Sequence, residues 1–329
     1  MSGIVIIGAG QAGSSLAIKL RTLGYEGAVT LIGEEPYAPY QRPPLSKTYL
    51  LGEMALERLY LRPQELYRDH NIELRLAAQV TAIDPVAGGV SLGHETLAYD
   101  QLALTTGSTP RLLPEAIGGG LKNVFAVRGL ADVDAMRPAF ERGGHVLIIG
   151  GGYIGLEAAA VAAKRGLKVT LVEMAERILQ RVACKETSDY FRDLHQSHGV
   201  TLLEGVGLSR LTGTDHVTGA ILSNGETLDI DFALVGVGIQ PNTGLAEAAD
   251  LTLNNGIETN ALGQTSEARI WAAGDCASFP YKGGRIRLES VPNAIDQAEV
   301  VAENMLGAKK EYHATPWFWS DQYDVKLQI

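Results

Sequence analysis

Gly3-Ile4-Val5-Ile6-Ile7-Gly8-Ala9-Gly10-Gln11-Ala12-Gly13 is the stretch that decides the fold. An apolar run of strand length ends in a Gly-x-Gly-x-x-Gly loop. A helical stretch follows to about Leu23, then a strand over Ala28 to Ile32, with Glu34 just past its end. In this setting each glycine has a separate role: Gly8 permits the tight turn, Gly10 lets the backbone approach a pyrophosphate, and Gly13 lets helix and strand pack closely. The helix N-terminus then faces phosphate charge. Glu34 is placed to accept hydrogen bonds from a ribose. A glycine motif alone is a weak signal; with strand, helix, second strand and acid in order, it reads as a dinucleotide-binding unit.

The pattern recurs. Val146 to Ile149 reads as a strand, Gly150-Gly151-Gly152-Tyr153-Ile154-Gly155 as the loop, and Leu156 to Arg165 as an alanine-rich helix. Val169 to Val172 is the second strand, ending at Glu173. Two such units in one chain predict an α/β protein with two Rossmann-like dinucleotide-binding domains. They are not the tandem repeats of a solenoid.

The remaining sequence fills out both units. Short strands are expected at Leu74 to Ile83, Gly89 to Leu92 and Glu95 to Tyr99. A buried strand from Leu102 runs to Thr106 and Gly107, followed by Ser-Thr-Pro-Arg ending at Arg111. A second buried strand, Phe232 to Gly238, closes the other unit in the same manner. Val217 to Leu222 and Thr227 to Ile230 flank Asn224-Gly225 and predict a hairpin. Ile270 to Asp275 is an apolar strand ending in an acid; Asp275 there reads either as a ligand for cofactor hydroxyls or as a turn or capping residue. Val291 to Met305 is helical, with Pro292 in its first turn. The tail, Val325 to Ile329, ends in what reads as a strand with no partner after it. That suggests a missing remainder, against the simpler reading of a natural edge strand.

Composition excludes several classes. The chain has 329 residues, 46% apolar, room for about two domains. A formal net charge of −10 sets aside a nucleic-acid binder. The start lacks a basic segment followed by a cleavage site, and no uncharged apolar run reaches membrane-span length, so a cytoplasmic location is the default. The two cysteines, Cys184 and Cys276, lie far apart. That argues against a disulfide framework, an iron–sulfur cluster in this chain and dithiol chemistry. No His/Cys/Glu set has zinc spacing, so no metal is expected.

On Pro43-Pro44-Leu45-Ser46-Lys47, Gly152-Tyr153-Ile154-Gly155-Leu156-Glu157, Gly274-Asp275-Cys276, Glu289-Ser290-Val291-Pro292-Asn293-Ala294 and Trp317-Phe318-Trp319-Ser320-Asp321-Gln322, the chain resembles the FAD-dependent ferredoxin reductases of oxygenase systems, within the wider glutathione-reductase fold. The resemblance runs through all 329 residues. It implies a discontinuous FAD domain (1–110 and 243–316), an inserted NAD domain (111–242), and only the opening of a C-terminal domain (317–329). It matches Ala12, Glu34, Lys47, Val80, Asp275 and Val291 to FAD-contacting positions, and Arg42 to the pyrophosphate or adenine side. Thr106, Gly107 and Arg111 are carried as further cofactor-side positions. Gly152, Ile154, Glu173 and Gly238 match NAD-contacting positions, with Gly150, Tyr153 and Gly155 from the same loop. Lys47 and Glu157 match a charged catalytic pair beside the flavin; without the resemblance, Glu157 reads as a solvated helix residue. Trp319 reads as an aromatic on the flavin or the acceptor side, or as a core aromatic.

The implied activity is NADH-dependent reduction of a small [2Fe–2S] ferredoxin through bound FAD, the ferredoxin serving a mono- or dioxygenase. The alternatives are a rubredoxin reductase or another NADH-dependent flavin reductase and, in a different class, a redox-controlled signalling or assembly flavoprotein like apoptosis-inducing factor. Glu173 favours NADH by repelling a 2′-phosphate, and Arg177 is placed to soften that preference. Lys282, Arg285, Arg287, Lys309 and Lys310 are the candidate basic surface for an acidic ferredoxin.

Overall fold

The computed structural model describes residues 3–329. It resolves into two compact units. The first comprises residues 3–41, Leu59–Thr109 and Pro241–Phe318; the second comprises Arg42–Arg58, Pro110–Gln240 and Trp319–Ile329.

The first unit is built on a parallel sheet in the spatial order Ile72–Arg75, Val29–Ile32, Gly3–Ile7, Glu95–Leu104, Ile270–Ala272. Ile4, Ile6 and Leu31 on one sheet face pack beneath Leu16, Ala17 and Leu20 of the helix Gln11–Thr22. Ala298, Val301, Ala302 and Met305 of the helix Val291–Met305 join the same core. That second helix starts where the sequence indicates, with Ser290 Oγ accepting from Asn293 N–H at 3.3 Å and Pro292 in the first turn.

One expectation is corrected. Glu95 to Tyr99 and the strand from Leu102 are a single strand, Glu95–Leu104. Its first half pairs antiparallel with Gly89–Leu92 and its second half parallel with Gly3–Ile7. The polar pair Asp100-Gln101 reads as a break, but Gln101 is satisfied in place. Its amide donates to Met305 O at 2.7 Å and accepts from Trp271 Nε1 at 2.9 Å.

The second unit repeats the plan. Its parallel order is Thr201–Glu204, Lys168–Glu173, His145–Ile149, Phe232–Val235, Val124–Ala126. Leu208–Gly213, Val217–Leu222 and Thr227–Asp229 form an antiparallel sheet, with Gly225 at φ +86° in the expected hairpin. The last strand, Val325–Gln328, folds back antiparallel on the strand before it, Trp319–Gln322.

The duplication reaches atomic detail. Gly8 N–H donates to Ile32 O and Gly150 N–H to Val172 O, both at 2.8 Å. Gly8 and Gly150 sit at φ +114° and +108°, with ideal Cβ positions 2.1 Å from Thr105 O and 2.3 Å from Gly236 O. A Cβ on Gly13 would lie 2.0 Å from Gly8 O, and one on Gly155 2.0 Å from Gly150 O. Gly10 and Gly152 face open space. The three roles read from the spacing are therefore distinct contacts: forbidden backbone angle, open approach, closed packing.

This separation predicts unequal costs. Gly155→Ala should lower unfolding free energy by about 2 kcal/mol or more through the clash with Gly150 O. Gly152→Ala should cost less than about 1 kcal/mol. Urea unfolding of the two variants side by side checks the order; equal losses would contradict the assignment.

Candidate active site

In the first unit the Gly8 loop abuts the turn that ends the strand Ile270–Ala272. Gly274, at φ +82°, would place a Cβ 3.0 Å from Ala12 Cβ, so only glycine lets this turn reach the first turn of the loop helix. Gly274 N–H donates to Gln297 Oε1 at 2.9 Å, while Gln297 Nε2 is buried without a hydrogen-bond partner. Asp275 Oδ2 accepts from Ser108 Oγ at 2.8 Å. Thr106 and Asn242 exchange two bonds: Thr106 Oγ1 donates to Asn242 O at 2.7 Å, and Asn242 Nδ2 donates to Thr106 O at 2.9 Å. Gly107, at φ +68°, accepts from Asn242 N–H. Glu34 stands exposed one residue beyond Gly33, Val80 lies half-buried against the core, and Val291 opens the helix Val291–Met305.

In the second unit, Gly152, Tyr153, Ile154 and Gly155 lead into the helix Tyr153–Lys164. Glu173 closes on this loop. Its Oε2 accepts from Gly151 N–H and its Oε1 from Ala175 N–H, both at 2.7 Å. Arg177, expected to soften nucleotide preference, donates to Ser188 Oγ and to Cys184 O. Register shows a difference between the units that spacing hid. Ile32 pairs with Ile7 as Val172 pairs with Ile149, so Glu173 corresponds to Gly33, and the exposed Met174 to Glu34. Gly238, at φ +98°, accepts through its carbonyl from Arg111 N–H.

Arg42 and Lys47, expected on the FAD side, lie in this second unit, as do the cofactor-side residues Arg111 and Trp319. Arg42 donates to Arg128 O at 2.7 Å, and Trp319 pairs with Gln328 in the terminal hairpin. Lys47 lies in the wide turn Leu45–Tyr49, closed by Tyr49 N–H on Pro44 O, and departs from helical values (φ −128°, ψ −110°). Its ammonium meets Glu157 Oε1 at 3.0 Å and Asp321 Oδ2 at 3.6 Å. Glu157 is not a solvated helix residue. It is 6% exposed, and it also accepts from Ser320 Oγ (2.8 Å) and Ser46 Oγ (3.1 Å). Burial pushes its carboxyl above the usual range, against the pull of the Lys47 ammonium and the two hydroxyls.

Sequence reading missed Ser46, Ser320, Asp321 and Gln297. The first three sit inside quoted motifs, but residues 46, 157 and 320 are too far apart in the chain for spacing to unite them. Two of the expected surface cations are committed elsewhere. Arg285 donates to Thr259 O and Ser278 O, and Arg287 to Asp275 O while pairing with Glu289 at 2.6 Å. Among the described residues no His/Cys/Asp/Glu group could hold a metal ion, and no helix is long and apolar enough to cross a membrane.

A family profile described as pyridine nucleotide-disulphide oxidoreductase matches residues 2–298. The chain belongs to that family. It is 41% identical over 330 residues to rhodocoxin reductase of Rhodococcus erythropolis, covering 99% of this chain and 77% of the relative. It is also 41% identical over 330 residues to the 5,5′-dehydrodivanillate O-demethylase ferredoxin reductase subunit of a Sphingobium species, covering 98% and 80%. The solved covalent putidaredoxin reductase–putidaredoxin complex superposes with a TM-score of 0.95 at 40% identity, covering 99% of this chain and 80% of that one. The disulphide of the family description has no counterpart here. Cys184 is exposed in the second unit, whereas Cys276 is buried in the first, where burial pushes its thiol up.

This family member is an oxidoreductase that uses FAD and a nicotinamide nucleotide. The residues fit such groups: two open glycine approaches at helix N-termini, and in the first unit a buried amide N–H of Gln297 lacking an acceptor.

The Lys47–Glu157 pair yields a prediction with a definite sign. Removing one member of a buried pair strands a charge at a cost of about 3–5 kcal/mol, far more than an exposed pair such as Arg75–Glu95 is worth. Lys47→Met should therefore destabilise by about 3 kcal/mol near neutral pH, and Glu157→Leu in the same chain should recover most of it. Because the folded Glu157 carboxyl sits above its unfolded value, its stability contribution is complete below the ordinary carboxyl range and is lost as pH rises through the folded value. Lys47→Met raises that folded value, moving the loss to higher pH. Urea unfolding across a pH series reads both effects; a Lys47→Met variant as stable as the parent would contradict the account.

Proposed function

We propose that the chain is an NADH-dependent ferredoxin reductase that delivers electrons through bound FAD to a small [2Fe–2S] ferredoxin, itself the donor to a mono- or dioxygenase. The observation that carries this reading is the pair of matching glycine loops, each in its own unit, in a chain whose relatives are named as reductases of oxygenase systems. Held there, FAD would supply the exchange between two-electron and one-electron transfer that conversion between NADH and an iron–sulfur carrier requires.

The Gly8 loop, with Ala12, Gly13, Glu34, Thr106, Gly107, Asp275 and Val291, is assigned to FAD. The Gly150 loop, with Tyr153, Ile154, Glu173 and Gly238, is assigned to NADH. The domain boundaries follow that division: 1–110 with 243–316 for FAD, 111–242 for NADH, and 317–329 as the start of a C-terminal domain. Lys47 and Glu157 take the catalytic role, holding a defined charge toward the flavin, and neither has to move a proton in hydride transfer, which depends on orientation. Arg42, Arg111, Val80 and Trp319 stay as cofactor-side assignments. A cytoplasmic setting is part of the proposal, and the two free cysteines suit a reducing compartment.

Glu173 makes the nucleotide choice testable. Its two accepted N–H bonds leave a lone pair on each oxygen for a ribose hydroxyl, and its charge repels a 2′-phosphate. NADH should exceed NADPH in kcat/KM, and Glu173→Ala should narrow the ratio by about tenfold, equivalent to about 1.4 kcal/mol. The reading as a whole is tested on flavin-loaded protein with a panel of ferredoxins and rubredoxins. Fast flavin reduction by NADH and fast reduction of a ferredoxin are expected. A preference for rubredoxins would move the assignment to rubredoxin reductase. Slow reduction with no preferred acceptor would overturn electron delivery altogether.

A further inference from the structure

Glu157 terminates a buried hydrogen-bond chain that neither glycine loop uses. Ser320 Oγ lies 2.8 Å from Glu157 Oε1, Gln322 Nε2 lies 3.2 Å from Ser320 Oγ, and His195 Nε2 lies 2.8 Å from Gln322 Oε1. Tyr323 OH lies 3.2 Å from His195 Nδ1. Ser320, Gln322 and His195 are all fully buried. The chain joins the terminal hairpin to the helix Lys185–Ser197 on one side and to the helix Tyr153–Lys164 on the other, all within the second unit.

One charge dictates the direction of every bond. Lys47 can only donate to Glu157, and the ionised carboxylate can only accept. Ser320 therefore donates to Glu157, which leaves its oxygen to accept from the Gln322 amide N–H. The Gln322 carbonyl must then accept from His195 Nε2–H. That fixes the neutral tautomer with a bare Nδ1, which accepts from Tyr323 OH. Burial favours this neutral imidazole by pushing the His195 pKa down. Every dipole points its positive end at Glu157, and aligned bonds in a dry interior polarise one another.

We propose that Ser320, Gln322 and His195 are positioning residues, a one-way buried relay that fixes Glu157 as an oriented anion against Lys47. This rests on the catalytic assignment of that pair for its consequence in turnover, but not for its existence. The groups facing Glu157 are few. The Leu45–Tyr49 turn presents Lys47 and Ser46, and the hairpin presents Ser320, with Asp321 reaching Lys47. On the neighbouring strands, His145 is held by Thr170 and Asp229 O, and Glu173 by the Gly151 and Ala175 N–H groups. At the far end, His198 stacks on the Tyr323 ring at 3.7 Å. The functional consequence is that the hairpin sets the protonation of a carboxylate it does not itself carry.

The test is the pH titration of the Glu157 carboxyl carbon by 13C NMR in flavin-loaded protein labelled at glutamate, with Glu157→Gln identifying the signal. Ser320→Ala should move that titration up by about one pH unit. Ser320→Thr, which keeps the hydroxyl, should restore it. Gln322→Met should give a smaller upward shift that disappears in the Ser320→Ala background, because the two act in series. A folded Ser320→Ala protein with an unmoved titration, or shifts that add in the double variant, would overturn the relay. The acid limb of kcat/KM for NADH, read on the same samples, separates the two claims. A shifted carboxyl with an unshifted acid limb supports the relay and counts against the catalytic role of Lys47 and Glu157.

Discussion

The structure depends on one steric constraint applied twice: a helix must start so close to the strand before it that no Cβ fits between. Gly13 against Gly8 O and Gly155 against Gly150 O are the same contact, at the same distance, in two units. Everything near each loop follows from that closeness. The helix N-terminus is brought to the strand end, its unpaired N–H groups face outward, and the middle glycine, Gly10 or Gly152, is left open to whatever binds there. In the first unit a further glycine, Gly274, carries Asp275 up to the same helix turn. The backbone geometry is thus specified by absence of side chains, and the chemistry by the few polar groups placed around it.

Around this shared plan the units differ in charge. In the first, Glu34 stands free of the loop. In the second, the acid sits one register position earlier, tied to Gly151 and Ala175, with exposed Met174 where Glu34 would be. The second unit also buries an ion pair. A pair as buried as Lys47–Glu157 is a poor source of stability, since desolvation offsets most of the attraction. Its presence, with Ser46, Ser320, Gln322 and His195 arranged around it, fits a functional requirement better than a structural one.

Much of this was legible in the sequence because it is local. Gly8 to Gly13 and Gly150 to Gly155 declare their roles by spacing, and Val291–Met305 declares its boundaries through Ser290 and Pro292. What was not legible is long-range. Glu157 reads as solvated because a charged residue on an alanine-rich helix usually is; only the fold brings Lys47 and Ser320 to it. Asp100-Gln101 reads as a break because the partners of Gln101, Met305 and Trp271, lie more than a hundred residues away. Arg285 and Arg287 read as surface cations, yet they donate to carbonyls within the unit, where charge on a sequence is no guide to exposure. The terminal strand has no partner after it in the sequence, and the partner it takes comes before it.

The central claim is that two loops of equal geometry hold unequal ligands, a resident flavin at Gly8 and an exchanging nicotinamide nucleotide at Gly150. It is tested most directly by measuring flavin content and KM for NADH after gel filtration of Gly10→Ala and Gly152→Ala proteins. The account predicts that Gly10→Ala loses flavin, while Gly152→Ala keeps its flavin and shows a raised KM. Flavin lost from Gly152→Ala and retained by Gly10→Ala would contradict it.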